Sequence, residues 1–354
     1  MEGHLKRESP TYIRTSTAAA ITMKTLPGRF LRQAQLYCIN LLLTYEEGCA
    51  ARCAYCGLSR SRELEEPWSQ HSFIRVDWPT VPLSDVVSIM ARGGCPHVER
   101  VCVSMITNPR ALEDTVKVVR HIRQVTPQVS VLVAPTIINK EWLITLKEAG
   151  ADMIGVAVDA ATPKLFSALR GQGVNGPHRW DRYWGVINEG VSVYGKYKVG
   201  VHLVVGLGET EREMAMVIQR AESLGAHTHL FSFFPEENSP MQNHPQPPMG
   251  QYRRMQLARY VINHGLSTAD LMKYDAEGRI IDFGATPEAL DELIDNGFPF
   301  MTSGCPGETM ECACNRPFGN STPSQAVKGE LRNFPFKPNI EDVETIREQL
   351  KEYV

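Results

Sequence analysis

Gly48-Cys49-Ala50-Ala51-Arg52-Cys53-Ala54-Tyr55-Cys56-Gly57-Leu58-Ser59-Arg60 is the stretch that decides how this chain is read. Its three cysteines are spaced C-x3-C-x2-C and follow the apolar run 39–43, so the loop that carries them leaves the end of a buried strand. A cubane [4Fe-4S] cluster takes four thiolates. Three this close together, with no fourth nearby, hold it by three corners and leave one iron open to a ligand that is not protein. The rival is a structural zinc knuckle, since Cys53-x2-Cys56 has zinc-ligand spacing, but that reading needs a second pair elsewhere.

Downstream of Cys38, short β-rich runs alternate with longer amphipathic ones, the pattern of βαβ units on a parallel sheet. The runs predict strands over 39–44, 100–105, 129–133, 153–158, 199–205 and 229–234. The helices between them are expected over 83–91, 111–124, 140–148, 163–169 with 179–189, and 211–223. Six such units curve into a partial (β/α)6 TIM barrel of α/β class, and eight would be needed to close it. Residues 1–37 read as an N-terminal helical extension with a mobile start, 38–265 as the barrel, and 266–354 as a C-terminal extension bearing a second cysteine group. Within that extension a β-ribbon is expected around 278–283, with helices over 287–296 and 340–351.

The charge balance, 37 Lys plus Arg against 40 Asp plus Glu, offers no basic field for a nucleic-acid partner. No run of about eighteen apolar residues is present to span a bilayer, and the polar N-terminus lacks a signal-peptide pattern. A cytoplasmic location is therefore expected. Nine cysteines in such a chain read as metal ligands or reduced core thiols, because disulfides do not persist in a reducing cytosol. Cys38, Cys95 and Cys102 are scattered, Cys102 within the apolar run 98–105 and Cys38 at the head of a strand, and all three read as small buried hydrophobes.

The triplet and its β/α context resemble the radical S-adenosylmethionine (SAM) superfamily. That resemblance implies a [4Fe-4S] cluster on Cys49, Cys53 and Cys56 whose open iron binds SAM, with Tyr55 as the usual aromatic before the third cysteine. It implies SAM contacts at the C-terminal mouth of the barrel from Thr107 and Asn108, from Asp159 and from Arg170. Asp159 reads equally as a cap of the helix near Pro163, and Arg170 as a cation at that helix's C-terminus. The run Leu203-Val204-Val205-Gly206-Leu207-Gly208-Glu209-Thr210 ends the fifth strand, with Gly206 and Gly208 allowing close backbone approach to a ligand and Glu209 opening a helix. His227 and His229, at strand spacing, read as hydrogen-bonded members of the barrel wall, and Phe231, Phe233 and Phe234 as core or as apolar lining.

Cys305, Cys312 and Cys314 crowd into one loop beside Arg316, and a density of this kind reads as an auxiliary iron–sulfur cluster, with zinc the rival. Ser303, Ser321 or a substrate atom are candidates for its fourth ligand. The TSGC…CNRP tail, the LFSFFPE strand and the LVVGLGET turn resemble the two-subunit, archaeal-type lipoyl synthases. The single-chain lipoyl synthases carry an extra N-terminal cysteine triplet and a C-terminal serine motif, and neither is present here. The resemblance implies sulfur insertion into a protein-bound octanoyl chain and Arg316 as a positioning or catalytic cation. It further implies a lipoyl carrier protein or octanoylated peptide, a second homologous radical SAM subunit, and a ferredoxin or flavodoxin electron donor as partners. The alternative expectation is an isomerase or lyase of the methylornithine synthase or hydrogenase-maturation type, with structural C-terminal cysteines.

Overall fold

The computed structural model describes residues 6–62, 72–73, 76–126, 128–315, 328 and 330–353. In chain order the N-terminal half comprises β1 (Tyr12–Thr15), α1 (Thr17–Thr22), β2 (Cys38–Leu42), β3 (Thr80–Pro82), α2 (Leu83–Ala91), β4 (Arg100–Ser104), α3 (Ala111–Ile122), β5 (Val129–Val133), α4 (Lys140–Ala149) and β6 (Met153–Asp159). There follow α5 (Pro163–Arg170), α6 (Trp180–Tyr194), β7 (Val199–Val205), α7 (Glu211–Ser223), β8 (His227–Ser232), α8 (Met249–Asn263), the ribbon β9 (Lys273–Tyr274) and β10 (Ile280–Asp282), α9 (Pro287–Asn296) and α10 (Ile340–Leu350). Helix starts match their sequence signals. Thr162 caps α5 with Pro163 at its first position, and Thr210 forms a capping box with Glu213 on α7.

One sheet takes the order β3-β1-β2-β4-β5-β6-β7-β8. From β2 to β8 every pairing is parallel, which makes the six strands of a partial (β/α)6 barrel, each within two residues of its expected bounds. The N-terminal extension differs from expectation. Among its described residues the α-helix is α1 alone, with a single 3-10 turn at Leu31–Gln33, and a strand, β1, precedes it, paired antiparallel with both β2 and β3. Edge pairing and burial override local preference there: Arg14 is wholly buried and donates to the Trp78 carbonyl at 2.9 Å, while the Glu8 carboxylate accepts from the Glu46 amide.

Alternation along the strands shows which way they face. Val101 and Val103, Val129 and Val131, and Val199, Val201 and Leu203 are wholly buried and face the helical layer. The intervening side chains Cys102, Leu132, Ala157, His202, Val204 and Phe231 are half-buried, so the inward face borders an open lumen instead of a packed core.

Candidate active site

β2 delivers the cysteine loop to the C-terminal mouth of the barrel. The loop is tied down by backbone bonds from Ala50 to the Thr107 carbonyl (2.7 Å) and from Ala54 to the Leu169 carbonyl (2.8 Å), and Arg60 donates to the Cys49 carbonyl at 2.8 Å. Cys49, Cys53 and Cys56 all line one cavity of about 250 Å³ that also receives Tyr55, Ser104, Thr107, Asp159 and Arg170. Two backbone amides already point at sulfur: Ala51 at Cys49 (3.5 Å) and Leu58 at Cys56 (3.4 Å). Burial pushes the Cys53 thiol up to about 11 and the Cys56 thiol well above its usual value, so ligation by iron would expel protons that burial otherwise retains. Three convergent thiols with amide donors to sulfur suit a three-cornered iron–sulfur cluster.

Beside the thiols runs a chain of polar contacts. Tyr55 donates its hydroxyl to Asp159 at 2.6 Å, Arg170 donates to the same carboxylate oxygen at 2.7 Å, and its second terminal nitrogen reaches the Tyr183 hydroxyl at 3.1 Å. His178 stands 3.0 Å from Tyr183 and 2.6 Å from the Thr136 hydroxyl. Burial, reinforced by the Arg170 charge, pulls the His178 imidazole down to about 2, so it stays neutral. Asp159 adopts φ 62° at a register shift between β6 and β7, a left-handed conformation that turns its carboxylate back toward the loop.

The other expected contacts separate. Thr107 lines the cavity, whereas Asn108 donates to the Gly48 carbonyl and accepts from the Arg110 amide, and so braces the turn. Gly206, Gly208 and Glu209 are not among the lining residues. The Glu209 carboxylate is occupied by the amides of Gly206 (2.6 Å) and Leu207 (2.9 Å). Its carboxyl is raised to about 7 by burial, against those donors. Gly206 is required sterically: at φ 99° a Cβ would stand 2.6 Å from Pro247 Cδ. Sequence reasoning missed Glu236, His178, Tyr183 and His202 on the cavity wall, because only sheet order brings them there.

A family profile for the Radical SAM superfamily matches residues 45–221, half of the chain. The chain belongs to the radical SAM superfamily. No curated protein matches it. Similar solved structures include methylornithine synthase (PylB), at 12% identity and TM-score 0.49, with 70% of this chain and 66% of that chain covered. The [FeFe]-hydrogenase maturase HydG is similar at 17% identity and TM-score 0.49, with coverage of 70% and 52%. The radical S-adenosylmethionine methyltransferase TsrM from Kitasatospora setae is similar at 16% identity and TM-score 0.40, with coverage of 77% and 55%. The chain thus spans less than two thirds of the length of each.

The second cysteine group sits at the opposite, N-terminal end of the radical SAM barrel. Its loop is pinned to strand beginnings: Arg100 donates to the Pro306 carbonyl (2.7 Å), Glu99 accepts from the Thr309 amide (3.0 Å), and Asn315 accepts from the Tyr37 amide (3.0 Å). Ser303, a candidate ligand in the sequence, accepts instead from the Leu230 amide on edge strand β8. Arg316 and Ser321 lie outside the described residues. Cys38 and Cys102, read from the sequence as inert hydrophobes, stand with this group, and the thiols of both contact Cys314. Asn40 Nδ2 bridges Cys38 Sγ (3.8 Å) and Cys314 Sγ (3.7 Å). His229 departs from expectation as well. It is buried on the inward face with neither ring nitrogen hydrogen-bonded, its ring lying across Gly200. Among the described residues no group of three or more His, Cys, Asp or Glu side chains is arranged to hold a metal ion.

Among the described residues no helix is long and apolar enough to cross a membrane.

Proposed function

We propose that this radical SAM enzyme inserts sulfur into an unactivated C–H bond of a protein-bound octanoyl chain, as one subunit of a two-subunit lipoyl synthase. The observation that carries the reading is the meeting of Cys305, Cys312 and Cys314 with Cys38 and Cys102 beneath the cavity that holds Cys49, Cys53 and Cys56. On the inward face of β4, Cys102 is followed by Ser104, which lines that cavity. The floor cysteines therefore begin one strand repeat, about 7 Å, below a residue of the cavity wall, in the same lumen.

Cys49, Cys53 and Cys56 would hold the cluster that binds SAM, and the floor cysteines an auxiliary cluster. When bound, these groups supply respectively the one-electron cleavage of SAM that removes a substrate hydrogen atom, the electron coming from a ferredoxin or flavodoxin, and the sulfide that the carbon takes up, its odd electron passing to iron. The chain's own residues do the positioning. Leu42, Leu132, Val204 and Phe231 offer an apolar wall suited to an alkyl chain and to excluding water. The Asp159–Arg170 pair holds Tyr55 and the cysteine loop at the mouth.

The test is mass spectrometry of an octanoylated carrier peptide incubated with the anaerobically reconstituted protein, its homologous partner subunit, SAM and dithionite. A gain of one sulfur is expected. Formation of 5'-deoxyadenosine with the peptide unchanged would overturn sulfur insertion in favour of an isomerase or lyase.

A further inference from the structure

An auxiliary cubane needs a fourth corner, and the C-terminal loop brings only Cys305, Cys312 and Cys314. Cys102 is mid-strand on β4 with wholly buried valines on either side, yet it is itself half-buried, so its thiol opens into the lumen. Cys312 and Cys314 are likewise half-buried. Cys38 also contacts Cys314 but differs in exposure: it is wholly buried, and its thiol donates to the Ile39 carbonyl and accepts from Asn40. Of the two strand sulfurs that neighbour Cys314, the one that opens to the lumen is placed as the ligand, and the one enclosed in the wall is placed as packing.

His229 provides an independent sign that something occupies the floor. Its imidazole is 7% exposed, with both ring nitrogens unpartnered, and it is packed edge-on to His202 at 5.5 Å between ring centroids. Leaving a buried donor unpaired is unfavourable, a cost that a ligand with acceptor sulfides would remove. The neighbouring inward residues of β2 and β7, Asn40 and Gly200, are small or polar and crowd the floor little.

We propose that Cys102, a barrel-strand residue, is the fourth ligand of the auxiliary cluster, completing a set with Cys305, Cys312 and Cys314, and that His229 is a hydrogen-bond donor to that cluster. The set joins the catalytic barrel to the C-terminal extension through iron, so the sulfur source sits inside the lumen. The inference rests on the auxiliary-cluster reading above.

The experiment compares iron and acid-labile sulfide per chain, and the electron paramagnetic resonance of the dithionite-reduced protein, for the full chain and its Cys102→Ala, Cys102→Ser and Cys38→Ala variants. Wild type is expected to hold about eight iron atoms, two cubanes of four, and Cys102→Ala to lose between one and about four of them. The signal that shifts on adding SAM should persist in that variant. Cys102→Ser conserves side-chain volume and guards against misfolding; it should retain the circular dichroism of wild type while altering the second signal. Cys38→Ala should keep the wild-type iron content. Wild-type iron and spectra in both Cys102 variants, or loss confined to Cys38→Ala, would overturn the assignment. A wild-type chain with only about four iron atoms would sink the auxiliary cluster and this ligand together. Two clusters that depend on Cys102, in a protein that adds no sulfur to the peptide, would sink only the sulfur-insertion reading.

Discussion

Asp159→Asn keeps the size of its side chain and, because asparagine tolerates positive φ, the left-handed backbone at 62°, while removing the charge that faces Arg170. The guanidinium is 6% exposed and would still donate to the Ala157 and Val158 carbonyls and to the amide that replaces the carboxylate. The loss is then the difference between charge-assisted and neutral hydrogen bonds, about 1–2 kcal/mol. Arg170→Met removes the cation instead. The Asp159 carboxylate, 14% exposed, is left without its counter-charge, and the two carbonyls and the Tyr183 hydroxyl lose their donor. Breaking a buried pair in this way costs about 3–5 kcal/mol. In the Arg170→Met background the carboxylate is itself the liability, so adding Asp159→Asn should cost nothing or recover about 1 kcal/mol. The assay is the urea midpoint of the four proteins under anaerobic conditions at equal cluster content, compared at equal transition slopes. Additivity of the two substitutions within about 0.5 kcal/mol would refute the idea that these groups form one buried unit.

Gly206→Ala places a Cβ against Pro247 at a φ that alanine resists, and should lower stability by about 1–3 kcal/mol, read as a fall in melting temperature; an unchanged melting temperature would refute the steric account of this turn. Glu209 titrates at about 7 in the folded chain and near 4.5 once unfolded, so between those values the folded chain binds the extra proton and stability should decline as pH rises, by up to about 3 kcal/mol. Urea midpoints from pH 5 to about 8 should show that decline in wild type and a flatter profile in Glu209→Gln. Alanine at Cys49, Cys53 or Cys56 should each remove the SAM-responsive paramagnetic signal and 5'-deoxyadenosine formation; a variant that keeps both would remove its cysteine from the ligand set.

The sequence by itself determined the radical SAM triplet, the six parallel strands and most helix ends, because those signals act over a few residues: thiol spacing, period-two and period-3.6 apolar patterns, and caps such as Thr162-Pro163. It also flagged Tyr55, Thr107, Asp159 and Arg170, all of which reach the cavity. Glu209 misled, because the GLGE turn shows a carboxylate beside glycines without showing that the turn's own amides engage it. Only the tertiary structure decided that β1 is a strand, since its partners are the edges of β2 and β3, and only it decided the company of Cys38 and Cys102. Both cysteines sit in apolar runs that look like any buried strand. Which face each presents, at what level of the lumen, and that the distant Cys314 of the C-terminal extension meets them there, follow from sheet register and from where the C-terminal loop is pinned.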